Sequence, residues 1–126
     1  MLRARAARVC WGLTIAYWVG LFVLTHLPLP KLPYVPVRDK TGHFVAYALL
    51  AGALMVSLWL GRRAAPPGVV VLGVLLAYGA VDEWTQLLVN RSCELADWYA
   101  DAAGAAAGVV AVSILVYLSG YHRSDG

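Results

Sequence analysis

Charged side chains are scarce in this chain, making up 13% of 126 residues against 61% hydrophobic ones. A water-soluble domain carries about a quarter charged residues, so water is a poor solvent for most of this surface. Cysteine is nearly absent as well. Cys10 and Cys93 are the two present, with no CxxC and no Cys/His metal spacing, so neither a zinc motif nor a dithiol redox motif is supported. The net charge of +3 is small and divided among several connections, which argues against nucleic-acid binding. The length suits one domain, residues 1–126, and leaves no room for a separate soluble module.

What is abundant is apolar sequence in long stretches. A helix that crosses a bilayer needs about 20 predominantly apolar residues, because its backbone polar groups must be satisfied internally. Four stretches qualify, at about 9–27, 43–60, 68–89 and 102–120. The first ends against Pro28, Pro30, Pro33 and Pro36, which cannot continue a helix. Gly61-Arg62-Arg63 and Pro66-Pro67 stop the second, and Asp82-Glu83 interrupt the third. The first stretch follows Arg3, Arg5 and Arg8 in the manner of a signal peptide. Its apolar core is long for one and no small-x-small site precedes Pro28, so a retained helix is expected. The expected fold is an all-α, four-helix membrane bundle.

Alternating spans put Arg3, Arg5, Arg8, Arg62, Arg63 and Arg123 on one side, and Lys31, Arg38, Lys40 and Arg91 with the acids on the other. The positive-inside rule then predicts both termini in the cytoplasm and the two longer connections outside. The cysteines fall at opposite faces in this topology and are expected to be free thiols. Whichever way the bundle is oriented, the first-to-second and third-to-fourth connections share a face. That face gathers nearly every unusual polar residue.

Asp39, His43 and Tyr47 recur at four-residue steps, a spacing that aligns them along one helix face, with Lys40 three residues before His43. Asp82 and Glu83 lie about seven residues inside the third span, roughly 10 Å deep at 1.5 Å per residue. An acid near the bilayer centre costs at least ~2.5 kcal/mol, so such groups face a bundle interior and pair. Adjacent acids cannot point the same way, and Glu83 is expected inward with Gln86. Arg91 precedes Asp97 and Asp101, which lie on the approach to the fourth helix, where its dipole favours acids by ~0.3–1 kcal/mol. Gly104 and Gly108, among alanines, form a small-xxx-small face for close packing within the bundle or between protomers.

Together, Asp39, Lys40, His43, Asp82, Glu83, Gln86, Arg91, Asp97 and Asp101 are candidates for a membrane-embedded polar pocket. Oppositely charged members would also neutralise one another, so a purely structural ion-pair network competes with a ligand site. The carboxylate–histidine spacing matches no standard metal motif, and no metal or cofactor is expected.

At these residues the chain resembles the VanZ-like family, named after a teicoplanin-resistance accessory protein. The likeness covers almost the whole chain. It rests on DK-x-x-H-x-x-x-Y from Asp39 to Tyr47, DE-x-x-Q from Asp82 to Gln86, and Arg91 followed by D-x-x-x-D-x-x-G-x-x-x-G from Asp97 to Gly108. The resemblance implies a small bacterial envelope protein, multi-pass in the cytoplasmic membrane, associated in some members with lowered glycopeptide susceptibility. It implies no established reaction. Two functions compete on the residues themselves. One is a pocket binding a phospholipid or lipid-linked cell-wall headgroup. The other is an intramembrane enzyme, with His43 as acid/base, Glu83 or Asp82 as partner carboxylate and Lys40 with Arg91 clamping phosphate. Membrane lipids are the expected partners, with self-association through Gly104 and Gly108 as a further expectation.

Overall fold

The computed structural model describes residues 1–27, 39–62, 66–91 and 93–120. Within them the chain forms α1 (Leu2–Thr25), α2 (Asp39–Arg62), α3 (Gly68–Gln86) with a 3-10 turn at Leu87–Val89, and α4 (Leu95–Leu118). No strand occurs among the described residues. The proline series from Pro28 to Pro36, and the charges Lys31, Arg38, Arg63 and Arg123, lie outside them. Each expected span falls largely on a helix, but α1 and α4 both begin seven residues before the apolar stretch (Leu2 against 9, Leu95 against 102). The reason is that hydropathy reports which turns suit lipid, whereas backbone hydrogen bonding carries the helix through polar entry turns as well. Asp82 and Glu83 likewise leave α3 unbroken through Gln86. The 3-10 turn ends at Asn90, whose left-handed φ of 60° reverses the chain toward α4. Asparagine is among the few non-glycine residues that adopt this region readily.

All four helices are long and apolar enough to cross a membrane. The 24 residues of α1 reach about 36 Å, more than the hydrocarbon core of about 30 Å. Their outward faces carry unpartnered apolar side chains, among them Leu13, Val19, Val69, Val74, Ile114 and Leu115. Only 11% of the α1 span is buried within the chain, which leaves its flanks to lipid. This is the architecture of a multi-pass membrane protein.

With no hydrophobic drive between helices in lipid, close packing and interhelical hydrogen bonds must hold the bundle. The most extensive contact is between α2 and α4, with α1 packed on α2 and α3 on α4. Leu50, Ala51, Leu54, Met55, Leu75 and Ala105 fill the shared interior. On α4, Gly104 lies against the Phe44 carbonyl and Gly108 against the Ala48 carbonyl, so close that a Cβ on either would collide with α2 backbone. Of the two uses open to this small-residue stripe, the fold realises the one within the chain. A second protomer would have to dock elsewhere.

Polar pairs fix the other helices. The Ser57 and Thr14 hydroxyls meet at 3.0 Å between α1 and α2, beside Cys10, whose thiol is free like that of Cys93. At the bundle end opposite the candidate residues, the Arg3 guanidinium donates to the Trp59 and Leu60 carbonyls at 2.7 and 3.2 Å. These belong to the last turn of α2, where carbonyls lack helical partners and a cation is favoured by the dipole.

The stripe yields a contrast in stability. Gly104→Val should cost about 3 kcal/mol, the upper range for overpacking, because helix backbone cannot step aside. Gly73→Ala, with nothing within 4 Å of the added Cβ, should leave stability unchanged or slightly raised. Thermal unfolding of both variants in one detergent compares them; equal midpoints would refute the packing argument.

Candidate functional site

The C-terminal ends of α1 and α3 and the N-terminal ends of α2 and α4 lie together. Four contacts demonstrate it: Thr25 to Asp82 joins α1 and α3, Lys40 to Glu94 and His43 to Asp101 join α2 and α4, and the Glu94 N–H to Glu83 joins α4 to α3. Alternating topology brings these ends together, and polar side chains from all four helices meet there. They form two clusters, one on each side of α3.

The first cluster surrounds His43, whose side chain is 11% exposed. Its Nδ1 lies 2.8 Å from Asp101 Oδ1, so the imidazole N–H donates to that carboxylate. Glu83 Oε1 stands 3.9 Å from the same nitrogen, and Asp97 Oδ2 3.9 Å from Nε2. All three carboxylates are buried. Glu83 is anchored by its second oxygen, which accepts the Glu94 backbone N–H at 3.2 Å. Its Oε1, and Oδ2 of Asp101, are buried with no hydrogen-bond partner among the described residues. Backbone placement explains the assembly. Gly104 follows Asp101 by three residues and presses on the carbonyl of Phe44, the neighbour of His43, so the closest point of the α2–α4 crossing draws His43 and Asp101 into contact. Trp98 holds α3 to α4 through its indole N–H, which donates to the Leu76 carbonyl at 3.0 Å. Tyr47 is buried one turn below His43, stacked on Tyr78 with ring centroids 6.0 Å apart.

The second cluster surrounds Asp82, which is 1% exposed. Oδ1 accepts the Thr25 hydroxyl at 2.9 Å and the Tyr78 hydroxyl at 3.4 Å, and Oδ2 accepts the Gln86 amide at 3.1 Å. His26 stands at its edge. Its Nδ1 donates to the Phe22 carbonyl at 2.8 Å, and its Nε2 lies 2.7 Å from the Thr85 hydroxyl.

Several sequence expectations need correction. Glu83 does face inward, but so does Asp82, and Gln86 bonds to Asp82 rather than Glu83. Neighbouring residues on a helix diverge by about 100°. That divergence exposes one of them only when the helix has a single packed side, and α3 is packed on two. Asp82 points to α1, Glu83 to α2 and α4. Asp82 is therefore no partner of His43, whose direct partner is Asp101. Nor does Asp101 sit on the approach to α4. The helix starts at Leu95, so Asp97 occupies the first turn, where the dipole acts, and Asp101 the second.

Among the described residues, Lys40 and Arg91 stay outside both clusters. Lys40, 58% exposed, lies 4.0 Å from the half-exposed Glu94 at the rim. Arg91 donates to the Leu27 carbonyl at 3.3 Å, past the end of α1. Long aliphatic stems let such charges reach polar surroundings. The Asp39 side chain lies outside the described residues, although its backbone opens α2. Thr25, His26, Tyr78 and Thr85 are further members, which were not among the candidate residues. Tyr78 was accessible from its i, i+4 spacing to Asp82, and Thr25-His26 from their place on the shared face. Compared with known proteins, the chain matches no family model, no curated protein and no solved structure.

The Thr25 hydroxyl ties α1 to a buried carboxylate, a bond of the kind that contributes about 1.5–3 kcal/mol. Thr25→Val should lose stability of that order, and Thr25→Ser, which keeps the hydroxyl, should stay near wild type. Thermal melts of the pair check it, and a Thr25→Ser variant as unstable as Thr25→Val would contradict the assignment.

Proposed function

We propose that this chain is a bacterial cell-envelope protein of the VanZ-like type that receives the headgroup of a phospholipid or lipid-linked cell-wall intermediate at its polar end. The observation that carries the reading is the convergence of polar side chains from all four helices at one end of an otherwise apolar bundle. His43, Glu83 and Asp101 lie about one to two turns below the helix ends, about 5–10 Å at 1.5 Å per residue, a depth suited to a headgroup drawn slightly inward. Lys40 and Arg91 stand nearer the surface and are placed to meet phosphate, while the acids beneath favour hydroxyl or ammonium donors. On this reading the termini are cytoplasmic and the polar end faces outward, the arrangement favoured by Arg3, Arg5, Arg8 and Arg62 at the other end. A role in glycopeptide susceptibility would follow from altered access to a cell-wall intermediate.

One observation favours a second reading, an intramembrane enzyme acting on the same headgroups. The 2.8 Å bond between His43 and Asp101 fixes the imidazole's orientation, which is what a general acid/base requires. Glu83 beside it supplies a further carboxylate.

Two measurements test these proposals. Cys93 is exposed in the connection at the polar end, whereas Cys10 lies within α1. A membrane-impermeant maleimide should label Cys93 in intact cells carrying a Cys10→Ser variant; labelling only after permeabilisation would reverse the orientation. For the ligand, native mass spectrometry should find a defined anionic or polyprenyl lipid on wild type that folded His43→Ala, Glu83→Gln and Asp97→Asn variants lose. Equal lipid on all folded forms would remove the headgroup reading. Turnover of the retained lipid, abolished in His43→Ala while binding persists, would select the enzyme.

A further inference from the structure

The His43 cluster gathers ionisable side chains of three helices inside the bundle. One imidazole faces three buried carboxylates, while Lys40 and Arg91 stay at the rim. Two of the carboxylate oxygens, Glu83 Oε1 and Asp101 Oδ2, are fully buried without a hydrogen-bond partner among the described residues. Burying such an acceptor is costly unless a proton or a cation meets it.

The geometry points to a divalent first-row transition-metal ion held by His43, Glu83 and Asp101. One donor atom from each lies within 4.8 Å of the other two. A four-coordinate ion with bonds of about 2.0–2.2 Å sets its ligands roughly 3.3 Å apart. The 2.8 Å from His43 Nδ1 to Asp101 and the 3.9 Å to Glu83 straddle that spacing, and the two carboxylates lie within 4.8 Å of each other, so side-chain adjustment brings the three donors to one ion. Binding at Nδ1 moves the ring proton to Nε2, where it faces Asp97, whose carboxylate is already on that side at 3.9 Å. A metal-bound histidine characteristically has such an outer acceptor. An imidazole among the ligands favours zinc, manganese or iron over magnesium and calcium, which take oxygen shells. The ion meets the two unpartnered carboxylate oxygens, and with three protein ligands it keeps a position for water or a phosphate oxygen. The ligands come from α2, α3 and α4, 40 and 18 residues apart in sequence, which is why no metal motif is visible along the chain.

Metal binding stands apart from the headgroup reading and is measured without any lipid ligand. The full chain, freed of its affinity tag, is stripped with chelator in nanodiscs, loaded with Zn2+ and desalted. Zinc is the probe because sites for manganese or iron bind it more tightly. Elemental analysis should find one zinc per wild-type chain, and X-ray absorption should find one imidazole with oxygen ligands and no sulfur. Glu83→Gln and His43→Ala should weaken zinc by at least about 100-fold. Asp82→Asn, altered in the other cluster, should bind as wild type does. A wild type that retains no zinc overturns the proposal, as does a sulfur-containing shell or a Glu83→Gln variant of undiminished affinity. Should either ligand variant fail to fold, the wild-type absorption spectrum decides alone.

Discussion

How near two helices approach is set by their smallest facing residues, and at the α2–α4 crossing those residues have no side chain at all. Gly104 and Gly108 bring α4 onto the carbonyls of Phe44 and Ala48. In lipid this contact matters more than it would in water, since apolar burial between helices gains little there. The same contact sets the distance between His43 and Asp101, each within three residues of it. Packing and chemistry therefore share one geometric cause. Widening the crossing by a methyl group would loosen the bundle and separate the cluster together.

The second organising feature is the pair Asp82-Glu83, placed where α3 has neighbours on both sides. One acid serves each side. Asp82 has its oxygens met by Thr25, Tyr78 and Gln86, which suits a role in tying α1 to α3. Glu83 is held at one oxygen and has no partner among the described residues at the other, next to His43 and Asp101. A fully satisfied polar network mainly specifies structure; an incompletely satisfied one has capacity for a ligand. The two clusters are adjacent and similar in composition, yet they differ on this point, and that difference directs functional interest to His43.

Much of this was legible in the residues. Low charge and four apolar stretches specify a helical membrane bundle because lipid cannot solvate an open backbone. The shared face follows from alternation alone. His43, Glu83, Asp97 and Asp101 stand out because ionisable groups this deep must face the interior. Their pairing was not legible, since the α3 rotation that sends Asp82 to α1 and Glu83 to His43 depends on which neighbours flank it. The exclusion of Lys40 and Arg91 was also hidden, because charge complementarity in sequence does not record how far a flexible stem reaches toward the surface.

The sequence by itself determined the solvent, the number of helices and which helix ends lie together, because these follow from hydropathy, length and alternation, quantities carried by each segment alone. The tertiary structure decided the partners: Asp101 for His43, Asp82 for Gln86 and Thr25, and α2 of the same chain for Gly104. Those depend on the rotation and separation of helices about one another, which no single segment contains.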